Sequence, residues 1–307
     1  MVELFVMKNR PIYVERFIQS PFIEVWEHTQ DPSKHQQWDL RFSEIVYLPK
    51  TSPEAAQSFL YTTRIGFSFK VSGKGESIGT HNNNNGESTS ALKFWSDESI
   101  SLIQAGSGYW KYIPQNNGIK FLTWYDYKVR FGFLGKGIDY IFRPLLGWAT
   151  ALSFDCLGLW LEKGIAPKTS FDRFMIQWLV RWALALTWFY QGLVPKILFR
   201  DTGELEILRA SRIFHGQESL ILSMVGTGEI IIGILFLIQG QSRRIYYVNI
   251  ILLIILMCGA FYSQPKIFTY PFNPLTLTLG MIALAVIGIR TMNDLPSANH
   301  CLRKQVK

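Results

Sequence analysis

Hydrophobic and polar positions change rhythm once along this chain, and that change divides it in two. In the first half, apolar and polar residues alternate over short runs. "PIYVERFIQ" reads as a strand with one face toward a core. "SPFIEVWEHTQ" then opens a helix, with Ser20 as N-cap and Pro21 in the first helical position; "DPSKHQQW" repeats the device with Asp31 and Pro32. Six further strand-like runs follow, near 40–48, 59–65, 67–78, 88–94, 100–113 and 119–131, several of them divided by the turn-rich "HNNNNGES" and "PQNNG". "FRPLLGWATALSFDCLGLWLEKG" closes the half as a long amphipathic helix, with Leu145, Trp148, Leu152 and Leu159 at mostly helical spacing.

The second half loses the alternation. "MIQWLVRWALALTWFYQGLV", "SLILSMVGTGEIIIGILFLI", "YYVNIILLIILMCGAFYS" and "NPLTLTLGMIALAVIGI" (175–194, 219–238, 246–263 and 273–289) are each close to the ~20 residues that cross ~30 Å of hydrocarbon. Aromatic residues gather near their ends, among them Trp178, Trp182, Tyr246, Tyr247 and Phe272, where rings suit the headgroup boundary. Pro195, Pro265, Pro271 and Pro274 fall in or beside the expected turns. The pattern predicts four membrane spans.

Charge sharpens this picture. Charged residues are 18% of the whole, yet nearly all of the net +8 lies in the second half: residues 1–172 carry 18 Lys and Arg against 17 acids, residues 173–307 carry 13 against 6. The basic residues flank apolar runs and form no patch, so membrane topology explains them and nucleic-acid binding does not. With the N-terminus inside, ten basic residues (Lys163, Lys168, Arg173, Arg181, Arg243, Arg244, Arg290, Arg303, Lys304, Lys307) flank the inner ends, and five (Lys196, Arg200, Arg209, Arg212, Lys266) the outer. Both termini are therefore expected in the cytoplasm. "MVELFVMKNRPIYVERF" lacks the layout of a secretory signal, in agreement. Cys156, Cys258 and Cys301 are odd in number and far apart, and the five histidines are scattered, so no disulfide framework or metal site is expected. No Gly-rich dinucleotide loop, haem motif or iron–sulfur spacing identifies a cofactor.

The order strand, two helices, six strands, long helix resembles the SRPBCC (START-like, helix-grip) superfamily. "SPFIEVWEHTQDPSKHQQWDLRFSEIVYLP" is similar to that family's opening, with Trp26 on the first helix and Trp38-Asp39 leading into the second strand. The resemblance implies a curved antiparallel sheet gripping the closing helix around a hydrophobic cavity. "RWALALTWFYQGLVPKILF", acidic "GELEIL" and "GTGEIIIGI" resemble the DoxX-like membrane proteins, small four-helix bundles of bacterial inner membranes, some linked to quinone-dependent redox chemistry. The expected fold is thus an α+β helix-grip domain at 1–165, a linker at 166–173, an all-α four-helix transmembrane bundle at 174–292 and a cytoplasmic tail at 293–307.

One residue stands against its surroundings. Glu229 sits inside an apolar span on a face with Ser223, Gly226 and Gly233. Small residues let helices approach closely in lipid, so the carboxyl is expected to point into the bundle, level with Trp188, Tyr190 and Gln191. Two roles stay open: a neutral acid that bonds helices together for ~0.6–2 kcal/mol, or a site for a polar headgroup, a quinone or a relayed proton. Glu204 and Glu206 are loop acids, candidates for a site or solvated partners of Arg209 and Arg212. In the first half, Tyr109, Trp110, Trp124 and Tyr125, with Trp148 and Phe154, are expected to line a ligand cavity or to serve as ordinary packing. His35 and Asp39 form a conceivable acid–base pair beside cap and turn roles.

The leading expectation is a multi-pass membrane protein, not an enzyme by itself, whose cytoplasmic domain takes up a hydrophobic small molecule or lipid. A subunit serving a quinone-linked membrane redox partner is the rival, an oligomer is possible with either, and a cyclase- or isomerase-like first domain is the third option. Membrane lipids are the partners expected in every case.

Overall fold

The computed structural model describes residues 11–305 apart from 53–54, 66–68, 84 and 202. The beginning of the run at 67–78 and the first residues of the N-terminal stretch lie outside the described residues. The chain forms two units: one from residues up to Phe171 together with Pro296 onward, the other from Asp172 to Leu295.

The first unit is a seven-stranded antiparallel sheet. Its strands are β1 (Ile12–Ile18), β2 (Glu44–Tyr47), β3 (Ser58–Ile65), β4 (Phe69–Asn82), β5 (Ser88–Trp95), β6 (Ile103–Gln115) and β7 (Gly118–Val129), in the order β1-β7-β6-β5-β4-β3-β2. Two short helices, α1 (Phe22–Gln30) and α2 (Pro32–Trp38), carry the chain from one edge to the other, and hairpins bring it back. Asp31 caps α2 by accepting from the Ser33 amide at 2.8 Å. For α1, Pro21 takes the cap position and no side chain caps the helix; the Ser20 hydroxyl instead donates to Glu24 at 2.7 Å. Alternation sends Ile119, Phe121, Thr123, Tyr125 and Tyr127 of β7 to the inner face, where they are buried.

Helix α3 (Gly132–Lys163) begins ten residues earlier than the pattern predicts. Phe131 and Gly132, both with positive φ, make the sharp corner out of β7. From Thr150 to Leu159 every residue is buried. Phe154 stacks on Phe121 with ring centroids 4.5 Å apart, and Trp38 lies edge-on to Phe154 at 6.0 Å. This is the grip arrangement that the resemblance implied.

The tail differs from expectation. Residues from Pro296 belong to the first unit. Leu302 pairs with Glu15 through two backbone hydrogen bonds of 2.9 Å, covering the open edge of β1. Ala298 and Cys301 are buried in the core, and Asp155 of α3 accepts both the Ser297 amide and His300. Composition marked the segment as polar tail; only its contacts with α3 and β1 make it part of the domain.

Helix α4 (Pro167–Leu193) starts in the first unit and runs on into the second, which also contains a π-helical turn (Val194–Leu198), α5 (Gly203–Ser211), α6 (Glu218–Gln239), α7 (Arg243–Ser263) and α8 (Pro274–Thr291). Most of the expected linker 166–173 is already helical, since Gly164 ends α3 in a left-handed conformation and Pro167 starts α4. Helices α6, α7 and α8 are long and apolar enough to cross a membrane; α3 also meets that measure, whereas α4, the expected first span, does not. Burial separates the cases. In its most apolar stretch α3 is 56% buried, against 22–28% for the other three, which carry their apolar faces outward. The deficit of α4 has a reason: its polar residues are its contacts. Gln177 donates to Gly288 O and Thr291, and accepts from Tyr246 at 3.1 Å. Arg181 donates to the last carbonyls of α6, at Phe236 and Leu237, and lies 4.5 Å from the Trp178 ring. Trp188 donates to Asn249 at 2.6 Å. One helix thus holds three others through hydrogen bonds placed inside apolar surroundings.

Candidate functional site

The polar face of α6 points inward: Gly226, Glu229 and Gly233 are buried, along with Leu222 and Phe236. Gly192 of α4 and Gly226 meet back to back. A Cβ on Gly192 would lie 2.4 Å from the Gly226 carbonyl oxygen, and one on Gly226 would lie 2.7 Å from Gly192 O and from Lys196 Cβ. Gly233 faces Ala185 in the same way: a Cβ there would lie 2.8 Å from the Ala185 carbonyl oxygen. The small residues therefore admit a neighbouring backbone.

That approach ends at the π-helical turn. Pro195 supplies no amide hydrogen, so the α-helical ladder cannot continue unbroken, and the wider turn carries Lys196 inward. Lys196 Nζ lies 2.9 Å from Glu229 Oε2 and 2.6 Å from Glu204 Oε2, and donates to Gln191 O at 3.2 Å. Lys196 and Glu229 are each only 5% exposed. The Glu204 side chain is 31% exposed, so the trio runs from the surface of the unit to its interior. Two carboxylates share one ammonium, which leaves one negative charge when all three are ionised.

The other expected members are elsewhere. Tyr190 is 60% exposed, and Gln191 reaches the trio through its backbone carbonyl. Trp188 is engaged with Asn249. Glu206 is exposed: two residues beyond Glu204 on α5, it points to the opposite side of the helix. Sequence reasoning counted Lys196 only as a flanking charge. Its signal was present, a lysine directly after a proline at the end of an apolar run.

In the sheet domain, strand periodicity divides between two faces the residues named as cavity lining or packing. Tyr109 and Trp110 are neighbours on β6, as Trp124 and Tyr125 are on β7, so each pair divides between faces. Trp110 and Tyr125 turn inward with Phe154 and are buried, and Trp148 packs at the margin of that core. Tyr109 and Trp124 stack on each other on the outer face, 5.9 Å apart and 14° from parallel. A depression of about 290 Å³ lies on this outer face, lined by Tyr13, Glu15, Tyr109, Lys111, Lys120 and Gln305 among others.

The inner face also holds buried charge. His35 Nε2 lies 2.9 Å from Asp39 Oδ2, and Arg41 reaches the same carboxylate with Nε at 2.9 Å and Nη2 at 2.6 Å. Burial pushes the His35 imidazole below its ordinary value, against the pull of Asp39. For Asp39 burial acts upward, but the Arg41 guanidinium and the bond from His35 hold the carboxyl well below the usual range. His35 is enclosed by the rings of Trp38, Phe42 and Trp110 at 4.9–5.4 Å. Acid and base are paired here in a filled core. Among the described residues, no group of three His, Cys, Asp or Glu side chains comes together as a metal site.

A family model described as DoxX-like matches residues 185–286, from the second half of α4 into α8. The chain is 46% identical over 228 residues to YndG, an uncharacterized membrane protein of Bacillus subtilis (strain 168), a match spanning 71% of this chain and 85% of YndG. Among solved structures it is similar to a STAR-related lipid transfer protein from Xanthomonas axonopodis, at 14% identity and TM-score 0.39 over 52% of this chain and 90% of that one. It is also similar to StfQ, a di-domain aromatase/cyclase of steffimycin biosynthesis, at 14% identity and TM-score 0.39 over 52% of this chain and 50% of that one.

Proposed function

Because the chain belongs to the family of the Bacillus subtilis membrane protein YndG, with a helical half of the DoxX-like type, we propose that it binds a hydrophobic small molecule or lipid at the membrane. In the helical unit, Lys196, Glu204 and Glu229 meet the polar head of such a molecule. One observation carries the reading: a lysine and a glutamate, each 5% exposed, are paired among helices that otherwise present Ile, Leu and Phe. An ionisable group in hydrocarbon costs ~2.5–3.5 kcal/mol on insertion scales, which makes a functional role the default. Native mass spectrometry and lipid analysis of the purified full chain test it. Wild type carries an amphipathic ligand that the Lys196→Met variant has lost; a wild-type protein free of ligand and of apolar-dye binding sinks it.

A second reading is favoured by the direction of the trio. Glu204 opens to the surface while Glu229 is enclosed, with Lys196 bridging them at 2.6 and 2.9 Å. Such a row suits proton passage to a quinone that a partner redox enzyme reduces. Quinone reduction in membranes, compared between wild type and Glu229→Gln, separates it from the first; an unchanged rate removes it.

Topology belongs to the same proposal. The helical unit receives the chain from the sheet domain at Asp172 and returns it there after Leu295. This connectivity supports a unit whose two ends open on one side of the bilayer, with an even number of crossings. Helices α4, α6, α7 and α8 supply four in this reading, and the excess of basic residues at the flanks on that side supports a cytoplasmic placement.

A further inference from the structure

The first half of α3 is an amphipathic helix turned inside out. Its buried positions up to Arg143 are Gly135, Asp139 and Arg143, four residues apart on one stripe. That stripe is polar and locked to β7. Tyr127 OH donates to Asp139 at 2.7 Å, and Arg143 donates to Asp139 at 2.9 Å, to Asp126 at 2.6 Å and to Tyr127 O at 3.1 Å. Apart from Lys136 and the half-buried Phe142, the rest of this half of the helix is largely apolar and exposed. Phe133 is 88% exposed, and Leu134, Ile138, Tyr140, Ile141 and Leu145 are all more than half exposed. A solvated helix places these faces the other way round. A contiguous apolar patch of this kind marks an interaction surface.

We propose that this face of α3, Phe133 to Leu145, is a bilayer-docking surface that seats the sheet domain on anionic lipid. Three features select lipid as the occupant. The patch mixes aliphatic residues with Phe133 and Tyr140, the composition of helices that lie in a membrane interface. Its charges are complementary to anionic headgroups: Lys128 and Lys136 are exposed, while Asp139 is buried against Arg143 and Asp126 is paired with the same guanidinium at 2.6 Å. The chain is a membrane protein, and only Gly164–Ala166 separate α3 from α4, so a bilayer is always within reach. Docking does not depend on the ligand proposed above; the sheet domain holds this surface whether or not a ligand is bound.

The test uses the full chain, with Cys258→Ser to remove the exposed native thiol, reconstituted into vesicles of phosphatidylethanolamine and phosphatidylglycerol. Spin labels are placed at Phe133→Cys, Ile141→Cys and, as a water-facing control, Lys74→Cys. Because all three positions are exposed, labelling disturbs no packing. The labels at 133 and 141 are expected to collide severalfold more with oxygen, relative to a water-soluble nickel chelate, than the control does. Replacing phosphatidylglycerol with phosphatidylcholine is expected to reduce that ratio. Labels at 133 and 141 as open to the nickel chelate as the control overturn the proposal. So does spin–spin broadening that disappears on mixing with unlabelled protein, because a second copy of the chain then covers the face.

Discussion

The carboxylate of Asp155, in the middle of α3, accepts a hydrogen bond from the His300 ring 145 residues later in the chain, at 2.9 Å. Its second oxygen faces Arg16 of β1 at 3.1 Å, so one buried acid joins helix, edge strand and C-terminal segment. The membrane helices lie between these partners in sequence, and the sheet domain is complete only after they have been synthesised.

Asp155→Ala is expected to destabilise the sheet domain by roughly 3 kcal/mol, because Arg16 loses a buried partner and the tail loses its anchor. Burial pushes the Cys301 thiol up to about 12. Release of the tail should therefore be read most directly by maleimide labelling: Cys301 is slow in wild type and fast in the variant.

Lys196→Met leaves Glu229 buried without its counter-charge and is expected to cost roughly 3 kcal/mol in thermal unfolding of the detergent-solubilised protein. Lys196→Met combined with Glu229→Gln is expected to recover part of that loss, since neither charge is then left alone. A double-mutant cycle measures the coupling, expected at about 1–3 kcal/mol.

Gly226→Ala is expected to be destabilising by about 1–3 kcal/mol, as its Cβ would press on the Gly192 carbonyl and the Lys196 stem. Gly228→Ala, two residues on, meets nothing within 4 Å and is expected to be neutral or slightly stabilising. The same unfolding measurement on both variants separates helix contact from helix propensity.

Acid should weaken the sheet domain in two stages. The folded His35 lies below its ordinary value of 6.5, so the unfolded chain binds the proton first and stability falls as pH drops through 6.5. The folded Asp39 lies below its ordinary 3.8, so its contribution is complete above that pH and is lost as pH falls further. His35→Gln is expected to flatten the first stage, read as the wild-type-minus-variant difference in melting temperature between about pH 7 and pH 4.

Reporter fusions at the two ends of the chain and in the 240–242 turn are expected on the cytoplasmic side. Fusions at 212–217 and 264–273 are expected outside.

Much of this architecture was legible before any coordinates. Period-two alternation marked the seven strands, long apolar runs marked α6, α7 and α8, and a glutamate among glycines marked the inward face of α6. These are local signals, because the neighbours along the chain state whether a residue meets water, core or lipid. Pairing between distant segments was not legible. The pattern left Tyr109 and Trp110 together as cavity lining or ordinary packing, and only strand geometry sends them to opposite faces. It left residues after Leu295 as a tail, whereas contacts with Glu15, Ala151 and Asp155 make them part of the sheet domain. By length and composition alone α3 resembles a span, because a helix enclosed by a sheet and a helix enclosed by lipid are built from the same apolar residues. Its place after the strand runs assigned it to the sheet domain. The trio at Lys196 belongs with the distant pairings. Pro195 signals a broken turn, but which way the next side chain swings depends on the room that Gly192 and Gly226 leave between two helices.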